Sequence, residues 1–227
     1  FPGVFGIFGH GNVACLGQAL QENQKELPTW RGHHEQNMAL TGIAYSRAKR
    51  RKQIFVATSS VGPGSTNMVT AAAVAMSNRI PILFLPGDTF SSRLPEHFNN
   101  PGTTANDAFK PVTRYFDRIT RPEQIISSLQ QAVQVMLDPA DCGPACISLS
   151  QDVQGEVYDY PEDFFKERIH TIRRSRPDDF QIKEAADLIK KSKKPIIISG
   201  GGVFYSDATE ELSAFAQKHN IPVTQTV

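Results

Sequence analysis

Cysteine is scarce in this sequence. There are three cysteines in 227 residues, Cys15, Cys142 and Cys146, and no two of them form a CxxC pair. So few cysteines, odd in number, exclude a disulfide-bonded scaffold, and the missing CxxC pair argues against a zinc ribbon or a dithiol redox site. We interpret all three as small buried residues of a protein from the reducing cytoplasm.

The sequence also lacks an excess of charge and a long apolar run. Lys and Arg number 24 and Asp and Glu 23, so the formal net charge is +1. Binding to nucleic acid or to an anionic membrane needs a basic face, so this balance argues against both as partners. No apolar run approaches the ~20 residues of a membrane span. Because the chain begins and ends in strand-like apolar stretches, we expect a fragment.

Short apolar runs alternate with longer helical patterns. Strand-length runs lie at 4–8, 53–58, 80–85 and 145–149. Helical patterns lie at 13–21, 35–49, 66–77 and 122–137. This alternation is typical of βαβ units, and nearly continuous apolar strands indicate that helices cover both faces of the sheet. We predict an α/β fold with a doubly wound parallel sheet over residues 1–150.

The pattern changes after residue 150. Residues 151–179 are acidic and aromatic and then basic, with little periodicity, which predicts a linker along the surface. Residues 180–227 return to helix and strand patterns and predict the start of a second α/β domain. There the strand-like run at 195–199 precedes a predicted turn, Gly200-Gly201-Gly202, which resembles half of a dinucleotide-binding fingerprint. A non-enzymatic nucleotide-binding module therefore stays open.

Ligands of doubly wound sheets bind beyond the carboxyl ends of the strands, on loops that lead into helices. The most specific of these loops carries Gly62, Pro63 and Gly64 directly after a predicted strand. Glycine lets the backbone approach a ligand closely, although a tight strand-to-helix turn explains the same residues. No GxxxxGK motif is present, so the loop is not a phosphate loop of that kind.

A second candidate is Glu35, at the predicted start of a helix. A carboxylate there gains about 0.3–1 kcal/mol from the helix dipole, which is a purely structural explanation. The preceding His33 and His34 point in opposite directions if the backbone is extended, and no third ligand is spaced to join them. We therefore predict no metal site in this chain.

Together these loops resemble the thiamine diphosphate (ThDP) dependent enzymes of the acetolactate-synthase type. The resemblance rests on His34-Glu35-Gln36 at a helix start, on the run 58–67, on Asp107-Ala108-Phe109 and on the run 143–152. It implies that residues 1–150 form the pyrimidine-binding domain and that 180–227 begin the central domain. It also implies a homo-oligomer, because the family's cofactor site lies between two subunits.

The resemblance implies roles for individual residues. Glu35 would be the catalytic carboxylate that hydrogen-bonds N1′ of the aminopyrimidine, and Gly62, Pro63 and Gly64 would form the wall beside that ring. Residues expected near the substrate are His10, Asn12, Phe109 and Lys110. The family binds the diphosphate and Mg²⁺ through a Gly-Asp-Gly…Asn motif, which this sequence lacks. The resemblance therefore places Mg²⁺ on a domain outside this chain.

Within the family, four runs resemble the branch that opens a cyclic dione in myo-inositol breakdown. They lie at 8–13, 58–64, 106–112 and 118–124. A carboligase would more usually have Pro-Gly-Gly in the first loop and Gln at the position of Lys110. The resemblance thus implies hydrolysis of a C–C bond in a small cyclic dione. A carboligase or decarboxylase acting on 2-oxo acids is the alternative.

Overall fold

The computed structural model describes residues 1–94 and 104–226, so His97 and Val227, the last residue of a predicted strand, lie outside the described residues. The chain divides into two compact units, Phe1–His170 and Thr171–Val227. The predicted domain limits at 150 and 179 lie on either side of this division and stay predictions.

The first unit is built on a six-stranded sheet. Its strands are β1 Val4–Ile7, β2 Thr29–Trp30, β3 Val56–Ser59, β4 Leu83–Asp88, β5 Tyr115–Ile119 and β6 Ala145–Ser150. Their order across the sheet is β2-β1-β3-β4-β6-β5, and every neighbouring pair is parallel. The predicted doubly wound parallel sheet is confirmed.

Helices and helical turns connect the strands. The α-helices are α1 His10–Asn12, α2 Gln18–Glu22, α3 Glu35–Ala48, α4 Pro63–Thr66, α5 Val69–Asn78 and α6 Gln124–Met136, and a π-helical turn, Val13–Gly17, joins α1 to α2. Shorter 3₁₀ segments are Ser91–Arg93, Ala105–Val112, Val153–Gly155 and Glu162–Phe165. The helix predicted at 66–77 corresponds to α5, which starts three residues later, at Val69, and a separate short helix, α4, precedes it. Proline suits the first position of a helix, which is where Pro63 lies in α4.

Consecutive residues of the central strands pack on opposite faces of the sheet. Phe84 and Cys146 lie in a core cluster with α3 and α5, whereas Leu83 and Ile147 lie in a second cluster with α2 and α6. Side chains alternate across a strand, so a sheet with helices on both faces needs apolar residues at nearly every position of its central strands. This explains the continuous apolar runs of the sequence.

Strand β5 was not predicted, because its sequence includes Asp117 and Arg118. It forms one edge of the sheet and pairs only with β6. Both charged side chains find partners there: Ser128 of α6 donates a hydrogen bond to Asp117, and Arg118 donates one to Asp88. Asp117 thus gains a hydrogen bond and Arg118 an ion pair, neither of which the apolar pattern of the sequence could reveal.

The second unit contains two parallel strands and three helices. They are α7 Asp179–Lys191, β7 Ile197–Ser199, α8 Gly201–Tyr205, α9 Thr209–His219 and β8 Val223–Gln225. The prediction of a turn at Gly200–Gly202 is wrong for Gly201 and Gly202, because these two residues begin α8. Helix α7 starts with a capping box in which Asp178 accepts a hydrogen bond from the Gln181 N–H and the Gln181 side chain accepts one from the Asp178 N–H.

The three cysteines are free thiols. Cys142 and Cys146 are buried, and burial raises the pKa of both thiols. Of the helices within 1–94 and 104–226, none combines the length and the apolar character that a bilayer-spanning helix requires.

Candidate active site

At the carboxyl edge of the sheet, the loops after β1 and β3 meet the end of β4. A Cβ atom added to Gly9 would lie 2.4 Å from the Ser60 Oγ, and one added to Gly11 would lie 3.2 Å from the Cβ of Val61. A Cβ on Gly87 would lie 2.6 Å from the Gly11 carbonyl oxygen. Because these contacts leave no room for a side chain at Gly9 or Gly87, the two loops and the end of β4 are packed directly against one another.

Glu35 is the first residue of α3 and is half-buried. The preceding His34 caps the helix, and its Nδ1 accepts a hydrogen bond from the Gln36 N–H at 3.2 Å. The Glu35 Oε2 accepts a hydrogen bond from the Asn67 Nδ2 at 3.0 Å. Its Oε1 lies beside Gly64, where an added Cβ would be 3.3 Å away. The structure therefore brings the Glu35 carboxylate against the bend that carries Gly64.

The bend itself depends on Gly62. Its φ is 74° and its ψ is −123°, a conformation that residues with a Cβ avoid. No atom of the described residues lies within 4 Å of a Cβ built on Gly62, so open space adjoins the bend there. Pro63 follows as the first residue of α4. Glu35, Gly62, Pro63 and Gly64 thus lie together in one place.

The first loop contributes His10 and Asn12. His10 is exposed at the start of α1. Asn12 is 1% exposed; its Nδ2 donates to the Thr58 Oγ1 at 3.0 Å, and its Oδ1 accepts from the Gly9 N–H at 3.1 Å. The Asn12 side chain therefore fastens the loop to β3 in this structure, whereas His10 remains accessible at the edge of the sheet.

Phe109 and Lys110, also expected near the substrate, have other surroundings. Phe109 is 0% exposed and packs against Phe84 with ring centroids 5.3 Å apart, so its side chain belongs to the core. This corrects the expectation of a substrate contact, which followed from a sequence run that does not reveal burial. Lys110 is exposed, and its Nζ lies 3.2 Å from the Asp107 Oδ1.

A buried ion-pair network lies beside these loops, and the sequence analysis did not identify it. The Asp88 carboxylate, at the end of β4, is 1% exposed and accepts hydrogen bonds from Arg118 Nε at 2.8 Å and Thr104 Oγ1 at 3.1 Å. Arg118 Nη2 also donates to Asp107 Oδ1 at 2.6 Å. An aspartate at the end of a buried strand is a signal that could have indicated Asp88. Arg118 gave no such signal, because its strand was not predicted.

Charge pairing in this network shifts two pKa values. Burial acts to raise the pKa of Asp107, but hydrogen bonds from Arg118 and Lys110 outweigh burial and hold that pKa below its ordinary value. Burial acts to lower the pKa of Arg118, but Asp88 and Asp107 outweigh it and raise that pKa. Both groups are therefore ionised at neutral pH, so Arg118 and Asp107 form a true ion pair.

Comparison with protein families identifies the fold. The thiamine pyrophosphate enzyme N-terminal TPP binding domain matches residues 3–108, and the thiamine pyrophosphate enzyme central domain matches residues 182–227. The chain belongs to the thiamine pyrophosphate enzymes. Thiamine pyrophosphate is the same compound as ThDP, so the expected family and the expected cofactor class are confirmed.

Curated relatives of this thiamine pyrophosphate enzyme share about half of its residues. A 3D-(3,5/4)-trihydroxycyclohexane-1,2-dione hydrolase from Clostridium tetani is 53% identical over 99% of this chain. Hydrolases of the same name from Halalkalibacterium halodurans and Listeria monocytogenes are 52% and 49% identical over the same share. The chain spans 36% of the length of each of these relatives.

Two solved structures share the fold. A ThDP-dependent 4-hydroxybenzoylformate decarboxylase from Rhodococcus jostii superimposes with a TM-score of 0.82 at 19% identity, covering 99% of this chain and 41% of that one. A benzoylformate decarboxylase from Polynucleobacter necessarius gives a TM-score of 0.81 at 21% identity, covering 99% and 40%. At these identities the likeness establishes the fold alone.

The residues present suit the pyrimidine half of ThDP but not a metal ion. The Glu35 carboxylate is half-buried, with one oxygen beside Gly64, and such a group can share a proton with a ring nitrogen in a hydrogen bond. The open space next to Gly62 leaves room for the ring. Within 1–94 and 104–226, no group of three or more His, Cys, Asp and Glu side chains is placed to hold a metal ion.

Proposed function

We propose that this chain is the N-terminal part of a ThDP-dependent hydrolase of myo-inositol catabolism. The whole enzyme would cleave a C–C bond of 3D-(3,5/4)-trihydroxycyclohexane-1,2-dione to give 5-deoxy-glucuronate. The observation that carries this proposal is the 49–53% identity, over 99% of this chain, to hydrolases of that name from several genera. Because the chain spans 36% of those relatives, the activity belongs to the full-length enzyme.

We infer that Glu35 binds the aminopyrimidine of ThDP. Its Oε2 is held by Asn67, which fixes the carboxylate so that Oε1, beside Gly64, can bond the pyrimidine N1′. A carboxylate in this position holds and moves a proton at N1′. Bound ThDP supplies a carbon nucleophile and an electron sink for breaking a C–C bond. The role of this chain is to set the protonation state of the cofactor ring.

The surrounding residues would shape the site. Gly62, Pro63 and Gly64 would form the wall beside the ring. His10, exposed on the first loop, can exchange hydrogen bonds with the hydroxyl groups of the dione. Asn12 would act through the loop, since its side chain is buried against Thr58.

The rest of the cofactor site would come from elsewhere in the enzyme. We propose that the diphosphate and Mg²⁺ are bound by a domain outside this chain, contributed by a second subunit of a homo-oligomer. The described residues offer no metal-binding cluster of their own, and the family resemblance places the site between subunits. The 227-residue chain by itself should then be inactive.

Replacing Glu35 in the full-length enzyme tests this proposal. Glu35→Gln keeps the size of the side chain but removes its charge, so kcat with the dione should fall by about 10²–10⁴-fold. Glu22→Gln is a matched control, because Glu22 also accepts one hydrogen bond from a side-chain amide, that of Gln18 at 2.9 Å, but is exposed on α2. The control should keep the parent kcat.

Two outcomes would contradict the proposal. Normal turnover by Glu35→Gln would refute the role of Glu35. Formation of acetolactate or acetaldehyde from pyruvate by the parent enzyme, with no ring opening of the dione, would identify a carboligase or decarboxylase instead.

A further inference from the structure

The side chain of Asn106 joins the bend at Gly64 to the centre of the sheet. Asn106 lies in the 3₁₀ segment after β4 and is 0% exposed. Its Oδ1 accepts a hydrogen bond from the Oγ of Ser65, the residue after Gly64 in α4. Its Nδ2 donates to the Gly87 carbonyl at 3.0 Å and to the Ser148 Oγ at 2.7 Å. One amide therefore links α4, β4 and β6.

The sheet end of this link is fixed. Gly87 lies against Gly11 of the first loop, so the carbonyl that receives the Asn106 hydrogen bond belongs to the packed edge of the sheet. Ser148, which is 0% exposed, donates in turn to the buried Asp88 carboxylate. Asn106 is thus anchored on the sheet side by groups that cannot move without disturbing the ion-pair network.

The other end of the link is α4, which is too short to hold its position without a tertiary contact. Helix α4 has four residues, and a single helical turn is not stable by itself. Ser65 is 0% exposed, so loss of its hydroxyl would leave the Asn106 Oδ1 buried without that donor. The Ser65–Asn106 hydrogen bond therefore determines where α4, and Gly64 with it, lies.

We propose that Ser65 and Asn106 are positioning residues for the cofactor. Their hydrogen bond holds Gly64 against the Glu35 carboxylate before ThDP arrives, so that binding does not have to order the bend. The inference rests on the proposed function, in which Glu35 and Gly64 face the aminopyrimidine. Neither residue touches the cofactor; each acts through the position of α4.

Paired serine variants of the full-length enzyme test the proposal. Ser65→Ala removes the hydroxyl that anchors α4. Ser128→Ala is the matched control, because Ser128 is 1% exposed and donates one hydrogen bond to the Asp117 side chain, away from the loops of the site. Both variants should lower Tm, since each loses the hydrogen bond that a buried serine hydroxyl donates.

The two variants should differ in their affinity for ThDP. Isothermal titration should give a Kd about tenfold higher for Ser65→Ala and an unchanged Kd for Ser128→Ala. The KM for ThDP should rise more than kcat falls in Ser65→Ala, because saturating cofactor restores the bend. Without ThDP, amide hydrogen exchange in a peptide covering 60–70 should be faster in Ser65→Ala only.

An unchanged Kd for ThDP together with unchanged exchange at 60–70 in Ser65→Ala would overturn the proposal. An equal rise in Kd for both variants would also overturn it, since the effect would then follow stability alone. A parent enzyme that binds ThDP but leaves the dione intact would contradict the proposed function, while the two dissociation constants would still decide the positioning role.

Discussion

At the scale of single residues, the site depends on one backbone conformation and one carboxylate. Gly62 makes the bend possible, and the bend brings Gly64 to Glu35. Glu35 alone, at the start of a helix, would be an ordinary acidic residue stabilised by the helix dipole. What distinguishes it is the partner on each oxygen: Asn67 bonds one, and Gly64 lies beside the other.

Replacing Gly62 with alanine should destabilise the first unit without a steric clash. Open space surrounds the added Cβ, so the cost is backbone strain at φ 74°, about 1–3 kcal/mol. Gly155→Ala is the control in the same unit, because its added Cβ meets only the Cys15 Sγ at an ordinary 3.5 Å. Urea unfolding followed by circular dichroism measures both, and equal stability of the two variants would show that the bend tolerates alanine.

The sequence indicated some of these residues and misread others. Glu35 and Gly64 could be predicted because they lie in short motifs whose spacing is local. Phe109 was misplaced because its run does not show that it packs against Phe84. Asn106 and Ser65 lie in runs that carry the family resemblance, but their contact was not predicted, since it joins positions 41 residues apart and polar residues of this kind are common in loops.

At the scale of elements, β5 shows why the fold was only partly predictable. The central strands were recognisable because both of their faces are apolar, whereas β5 carries Asp117 and Arg118. The Arg118 charge is compensated at the sheet edge by the buried carboxylate of Asp88, 30 positions away in the sequence. Long-range charge pairing of this kind leaves no periodic signal in the sequence.

Removing the Arg118 charge should therefore lower the free energy of unfolding. Arg118→Met would leave the Asp88 carboxylate buried without its cation, which should lower the free energy of unfolding by about 3–5 kcal/mol. Arg121→Met is the control, since the Arg121–Glu123 pair is 70% and 36% exposed and is expected to contribute about 0–1 kcal/mol. Equal losses in urea unfolding would mean that Arg118 does not compensate Asp88.

At the scale of the whole molecule, the two units differ in how their structure is supported. Phe1–His170 contains a six-stranded sheet with core clusters on both faces. Thr171–Val227 has two strands, and several of its apolar side chains are largely exposed: Phe180, Leu188, Ile196 and Ile198. The first unit therefore has the buried core that an independently stable domain requires.

Limited trypsin digestion of the 227-residue chain should separate these units. No helix or strand covers 166–178, and the exposed basic residues after which trypsin can cut there are Lys166, Arg168 and Arg173, since Pro177 blocks cleavage after Arg176. The basic turn at 47–52 is a built-in comparison, because its backbone is bonded: the Arg50 N–H donates to the Arg47 carbonyl and the Arg51 N–H to the Ser46 carbonyl. Proteases prefer exposed backbone without such bonds, so the first cuts should fall within 166–176.

Mass spectrometry should then find a resistant fragment close to Phe1–His170. Early cleavage at 47–52, or rapid loss of that fragment, would show that the first unit is not stable by itself.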